Sequence, residues 1–407
     1  MAQVLGQRTT NQVVAANEDR LIRQVYDQIG MLEPDEAPLV TLINLMRRKI
    51  AVKSPRYEWF EDDYVARWGQ MGTTTVANTT ASTSIIVLDG TVFTSGDLAI
   101  IPKSPTSLWT SPEMIRVVSV AGNTLTVIRD VGGAGVDTIN ASSYLRLAGS
   151  SHEEGGVLPS AKTTAPVKKI TYTQIFKKVI DFTGTMIASE VYGAPAGDRR
   201  REHAKKLKEF KIDLNSALLF GRASEALAGG PNSKPIRTTM GLQSVITTNK
   251  VNAGGLLTRK LFEAFSRSAF RYGSKQKILL ASPLLCSALT EWGNSFLVTE
   301  VGSNEWGMQV TKVTTGHGTF MVHRDWMLED PAAGASGFSG LSFVVDLDML
   351  WQVHLAANGE NRDTAIHEDV VADGADRRVD EVRGEIGFVI MQEKFHAMLF
   401  NLSDYQA

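Results

Sequence analysis

A single cysteine, Cys286, in 407 residues excludes any disulfide framework within the chain. A cytosolic site of synthesis is the natural expectation for so little cysteine. No apolar run is long enough to span a bilayer. Met1 to Thr9 lack the apolar core of a secretory leader, so neither a leader nor a membrane partner is expected. Net charge is also scarce: 42 Lys and Arg against 44 Asp and Glu leave −2. A protein whose main task is gripping nucleic acid concentrates cations to displace counterions. A near-neutral surface can lie beside DNA without sticking to it.

Site chemistry is missing too. The seven histidines are scattered. His152-Glu153-Glu154 begins like a zinc-protease helix, but Gly156 stands where the second histidine would be needed. His317 and His323 would share one strand face, with no carboxylate or cysteine at ligand spacing. No phosphate loop, dinucleotide fingerprint or nucleophile elbow is present. Gly132-Gly133-Ala134-Gly135 has no helix behind it and reads as a hairpin tip. Cys286 sits in an apolar helix and reads as a small buried hydrophobe. No catalytic residue, metal or cofactor is expected.

What is present is a composite. At this length two or three domains are expected. Residues 1–33 are polar, with Leu21, Ile22, Val25 and Ile29 on one helical face. So isolated an apolar stripe points to a neighbouring subunit as its partner. An extended acidic and aromatic arm follows, Tyr57-Glu58-Trp59-Phe60-Glu61-Asp62-Asp63-Tyr64. Residues 84–149 then read as a separate β unit. Short Val/Ile/Thr runs alternate there with turns at Asp89-Gly90 and Gly122-Asn123. Its small core is expected from Ile86, Leu88, Ile100, Val117, Leu125 and Val127, and its ends near Ser84 and Ser150 should lie close together.

Beyond it come two strand runs, 169–176 and 179–182. A long helix follows, with Asp198 expected as its N-cap and a stop near Gly221, or at the latest at Gly229-Gly230-Pro231. Leu207, Phe210, Leu214 and Leu218 recur at spacings of three and four. The length should be roughly 35–45 Å. Its Arg199-Arg200-Arg201 and Lys205, Lys206 and Lys208 could touch nucleic acid. Glu202, Glu209 and Asp213 dilute that field, and Glu202 can pair with Lys206 one turn on, so a solvated face is favoured. From Gly241 the pattern becomes α/β. Closing strands at 382–391 and 397–400 should return to the strands before the helix.

Together these segments resemble the major capsid proteins of tailed phages, with their Hong Kong 97-type fold. They most resemble the branch whose extended loop carries an inserted β domain. Tyr57-Glu58-Trp59-Phe60-Glu61-Asp62 resembles the loop motif of that branch. Gly96-Asp97, Asn123-Thr124-Leu125-Thr126-Val127, Arg129 and Gly132-Gly133 resemble its inserted domain. Tyr172-Thr173-Gln174-Ile175-Phe176, Thr183-Gly184-Thr185, Lys206-Leu207-Lys208-Glu209 and Ala217-Leu218-Leu219-Phe220-Gly221 resemble the strand and spine helix. Gly241-Leu242-Gln243-Ser244-Val245-Ile246 with Asn249 resembles the start of the axial domain.

The resemblance implies an α+β chain in six parts. These are an N-terminal arm (1–50), an extended loop (51–83 and 150–165) and an inserted all-β domain (84–149). A peripheral domain with the spine helix (166–239), an axial domain (240–345) and return strands (346–407) complete it. It also implies pentamers and hexamers in an icosahedral shell around double-stranded DNA. A separate scaffolding protein, a portal and, in some relatives, a decoration protein would be partners. Candidate intersubunit contacts are Arg47, Arg48, Glu61, Asp62, Asp63, Arg199, Arg200 and Arg201, the acids crowding against a neighbour's cations. Rival readings are an encapsulin-like nanocompartment shell, an enzyme with an accessory β domain, and a carbohydrate-binding surface protein carried by the β unit and Trp109.

Overall fold

The computed structural model describes residues 38–45, 47–101, 112–136, 138–156, 158–159, 161–189, 197–227, 229–230, 232–293, 299–301, 311–329, 337–370, 374 and 376–406. The stripe in 1–33 and Trp109 lie outside them. The chain divides into two compact units, Phe60–Lys168 and the remainder.

In the larger unit, Lys49–Val52, Leu350–Ala357, Arg377–Ile390 and Gln174–Thr183 form one sheet in that order. Gln174–Thr183 and Arg377–Ile390 pair antiparallel over ten residues, from Gln174 opposite Ile386 to Thr183 opposite Arg377. The expected return to the strands before the helix is therefore present. On Gln174–Thr183 only Phe176 and Ile180 are buried, so one face is covered and the other left to water.

The cover is the helix Asp198–Phe220, 23 residues and so about 35 Å long. Phe210, Leu214 and Leu218 are buried, as their spacing predicts, and Phe210 meets Phe176 edge to face at 6.0 Å between ring centres. The N-cap is Gly197, at φ 91°, and not Asp198, which is the first helical residue and accepts from Arg201 Nε at 2.8 Å. The helix ends at Gly221. A Cβ there would stand 2.3 Å from the Ala217 carbonyl oxygen and 2.8 Å from that of Thr239, so the close approach requires glycine.

A second sheet has seven strands. They run Lys250–Leu257, Ala397–Tyr405, Ser342–Val345, Gln276–Ala281, Thr319–Arg324, Thr311–Thr314 and Thr299–Val301. The last strand of the chain thus joins this sheet, between Lys250–Leu257 and Ser342–Val345, and not the strands before the long helix. The central Gln276–Ala281 is buried on both faces, which explains its unbroken apolar run. Helices Arg259–Ala269 and Pro283–Gly293 pack Phe262, Phe265, Leu285 and Trp292 into one cluster. Cys286 is half-buried beside that cluster.

The Phe60–Lys168 unit carries a six-stranded antiparallel sheet. Its order is Trp68–Gln70, Tyr144–Ser150, Asp97–Ile101, Glu113–Ala121, Thr124–Ile128, Ser84–Ile86. A bridge from Met71 to Val87 joins the two outer strands, with Leu88 N–H donating to Gln70 O at 2.9 Å. The sheet therefore closes into a barrel, which removes its free edges. Register shifts at Leu98/Ala99 and Val117/Ser119 help it curve. Chain entry and exit lie on paired strands, Trp68 opposite Arg146, so the ends meet further out than Ser84 and Ser150.

Val117, Leu125 and Val127 fill the barrel as expected, but Ile86 and Leu88 are 45% and 58% exposed and Ile100 is only half-buried. Ile85, Val87, Ala99 and Ile101 are inside instead. In an all-apolar run the period of two leaves its phase open, and a one-residue error turns every side chain over. Asn123 clips two turns together, its Nδ2 donating to Leu88 O at 3.1 Å and its Oδ1 accepting from Gly90 N–H at 3.2 Å. A Cβ on Gly90 would lie 1.9 Å from the Gly122 carbonyl oxygen.

Candidate functional site

The candidate contacts differ in how deeply they are buried. Arg199 lies in the first turn of the long helix, one residue after Asp198, and faces Asp380, which is 1% exposed and the fourth residue of Arg377–Ile390. Its Nε and Nη2 donate to the two Asp380 oxygens at 2.6 and 2.6 Å, a bidentate fork. His203, one turn on, places Nε2 2.6 Å from Asp380 Oδ2, and the Asp369 N–H donates to Oδ1 at 3.1 Å.

The Arg199 hydrogen bonds hold the Asp380 carboxyl well below the usual carboxylate range, against its burial, and His203 adds to this. The Asp380 bond likewise raises the Arg199 guanidinium. Glu368 and Asp369 stand 3.7 and 3.7 Å from the same guanidinium. The arrangement fastens the first turn of the helix to the sheet. Asp380→Ala should therefore cost about 2 kcal/mol, the range for hydrogen bonds to charged groups, and loosen the helix start first. Hydrogen exchange that is unchanged over residues 198–205 would refute this fastening role.

Arg48 is also engaged within the chain. Its Nη2 lies 2.5 Å from Asp348 Oδ1, and its guanidinium stacks 5.1 Å from the Trp351 ring centre. Arg201 pairs with Asp198. Arg47 and Arg200 are exposed, as are Asp62 and Asp63, while Glu61 is half-buried. Lys206 meets Glu209 at 2.8 Å and Glu202 at 3.8 Å, the pairing expected of a solvated helix face. His317 and His323 do not share a strand face. His317 sits in the turn before Thr319–Arg324, 3.5 Å from Glu263, and His323 Nδ1 lies 2.7 Å from Arg324 O.

Sequence reasoning missed the buried carboxylates of Arg377–Ile390. Besides Asp380, Glu385 is 5% exposed, bound by Arg362 Nε at 2.8 Å and by the Thr173 hydroxyl at 2.9 Å. The signal was the run Val379-Asp380-Glu381-Val382-Arg383-Gly384-Glu385-Ile386, where acids interrupt an apolar strand. A strand this deep keeps such groups only when cations meet them. The missed barrel pair is Glu113 with Arg129. The Arg129 Nε and Nη2 donate to the two Glu113 oxygens at 2.7 and 2.6 Å, with both side chains fully buried.

Two proteins illustrate what this chain is similar to. The major capsid protein of Pseudomonas phage PaMx41 is 26% identical over 250 residues, covering 58% of this chain and 57% of the relative. The chain thus spans little more than half the length of that relative. The capsid subunit of cyanophage A-1(L) is 12% identical, with a TM-score of 0.52 over 97% of this chain and 100% of that one. That likeness bears on the fold, which is the α+β Hong Kong 97-type capsid fold. The family model described as SU10 major capsid protein matches residues 4–403. It is a family of structural proteins and not of enzymes. With almost the whole length matched, the chain belongs to the SU10 major capsid protein family.

Proposed function

We propose that this chain is the repeating subunit of a tailed-phage head, a component of the virion that assembles into an icosahedral shell around double-stranded DNA. The family match over residues 4–403 carries the reading. Pentamers and hexamers would be the building units, assembled with a separate scaffolding protein and a portal. The Phe60–Lys168 unit is the β domain inserted in the extended loop. The sheet with the long helix serves as the peripheral domain and the seven-stranded sheet as the axial domain. Arg47, Arg200, Asp62 and Asp63, all exposed, are the candidates for contacts between subunits. Each such pair is worth only about 0–1 kcal/mol, so repetition around the shell must supply the effect.

The barrel unit carries seven Lys and Arg against ten Asp and Glu over residues 60–168, so it has no electrostatic reason to face DNA. On this reading it faces outward. Gly132, Gly133 and Gly135 form a turn with φ of 96°, 73° and 89°, and no neighbouring atom would meet a Cβ on any of them. A short epitope inserted after Gly133 should leave assembly intact and be bound by antibody on whole particles. Negative-stain microscopy of the purified protein should show shells, capsomers or sheets. A chain that stays monomeric at high concentration would defeat the shell reading. An epitope reached only in broken particles would defeat the outward placement alone.

A further inference from the structure

The seven-stranded unit holds a basic cleft of about 690 Å³ where the helix Arg259–Ala269 ends against the turn at Gly316 and His317. Arg267, Arg271 and Lys275 line it, all exposed, with His317 at the rim. Phe270 supplies an apolar floor. Among the described residues no carboxylate reaches any of the three cations. Several arginines elsewhere in the chain are matched: Arg48 with Asp348, Arg129 with Glu113, Arg199 with Asp380, Arg237 with Glu225. Glu263, on the same helix, lies 3.5 Å from His317.

A helix C-terminus favours cations, which accounts for Arg267 in the last turn. It does not account for Arg271 and Lys275 beyond the helix end. Three cations lining one open cleft without a carboxylate partner, Arg271 lying 5.4 Å from the Tyr272 ring centre, are what an anion with several oxygens requires. We propose that this cleft binds the phosphodiester backbone of DNA. The two guanidinium groups would fork onto phosphate oxygens and the ammonium would act as a point charge.

That the polyanion is DNA and not an acidic protein segment rests on the shell reading above. It also fits the near-neutral remainder of the chain. Each subunit would offer one local foothold, and the shell as a whole would not grip its contents. Such contacts carry no sequence information.

The test is fluorescence anisotropy of a short labelled duplex with the purified full-length chain across a salt series. Three phosphate contacts predict a slope of log K against log salt of about −2.7. The variant Arg267→Ala/Arg271→Ala/Lys275→Ala should lower the magnitude of that slope by about 3 contacts' worth, leaving little binding. A control removing Lys205, Lys208 and Lys234 should leave the slope unchanged. Equal slopes for the wild type and the cleft variant would overturn the proposal. So would polyglutamate that binds at the cleft while the duplex does not, since the occupant would then be an acidic protein. Circular dichroism of the variant checks that the exposed substitutions leave the fold intact. Microscopy of the same preparation separates the two readings. Cleft-dependent binding without shells would keep this inference and remove the shell, and shells without it would do the reverse.

Discussion

Replacing Glu113 with alanine should unfold the Phe60–Lys168 unit at temperatures where the rest of the chain stays folded. The substitution leaves Arg129 charged with its side chain wholly buried and takes away its carboxylate, while its bond to the Ala77 carbonyl at 2.6 Å is kept. Removing one member of a buried ion pair costs about 3–5 kcal/mol, because the other charge stays desolvated without compensation. A barrel of about a hundred residues has a total stability of about 5–15 kcal/mol, so the loss is a large share of it. Asp130 N–H, which sits 3.4 Å from Glu113 Oε1, loses its acceptor as well.

The double variant Glu113→Leu/Arg129→Met should recover most of the loss, since well-packed apolar pairs often replace buried ion pairs at little cost. Calorimetry of the full chain would follow the unit's transition, and hydrogen exchange would assign it to residues 60–168. A Glu113→Ala chain that melts within about 1 kcal/mol of wild type would mean that water reaches Arg129. The pair would then contribute no more than a surface bridge.

How much of this was legible in the sequence depended on periodicity. The long helix was legible because Phe210, Leu214 and Leu218 repeat at helical spacing and Gly221 ends them. The existence of the β unit was legible from its turn pairs, and the closed barrel was not. Trp68–Gln70 is only three residues long and lies just before a Thr/Ser-rich stretch from Thr73 to Ser84, so nothing local marks it as a strand. The phase of Ile85-Ile86-Val87-Leu88 was not legible either, because every residue in it is apolar and either face could have been the inner one. The destination of Ala397–Tyr405 depended on pairing across more than a hundred residues, which no local pattern encodes.

The candidate contacts were legible as charges and not as partners. Arg199-Arg200-Arg201 looks uniform in sequence, yet its three members meet different surroundings. Arg199 is one turn before His203 and faces the sheet, Arg200 points to solvent, and Arg201 turns back to Asp198. The helix rotates each by about 100° from the last. Only the position of Asp380 on the covered strand decides which arginine is taken up.

The seven-stranded sheet should lose stability as pH falls from about 6.5 toward 4, before most carboxylates titrate, because of His396. The ring is fully buried next to the turn that precedes Ala397–Tyr405. Burial first, and the Lys277 ammonium second, push it down from 6.5 to about 4, while Asp346 and Glu393 pull weakly the other way. Lys277 is itself buried and donates to the carbonyl oxygens of Ala269, Tyr272 and Phe395 at 2.8, 2.7 and 2.6 Å. Asp346 N–H donates to His396 Nδ1 at 3.3 Å, which needs that nitrogen unprotonated.

The folded-state value is depressed, so between about 6.5 and 4 the unfolded chain binds the extra proton. The stabilisation is complete above 6.5 and is lost as pH falls through that window, to a limit of about 3 kcal/mol. Glu393, held down to about 2 by Thr247 and Thr248 against its burial, adds its own loss only below its ordinary value of 4.5. The two effects therefore separate on the pH axis. His396→Asn keeps an acceptor for the Asp346 N–H and removes the titrating ring. It should be less stable at neutral pH for want of volume, yet show a flat stability curve between pH 6.5 and about 4.5. Urea unfolding across that range would measure both chains. Parallel curves for wild type and His396→Asn would show that His396 is not the group whose protonation weakens the sheet.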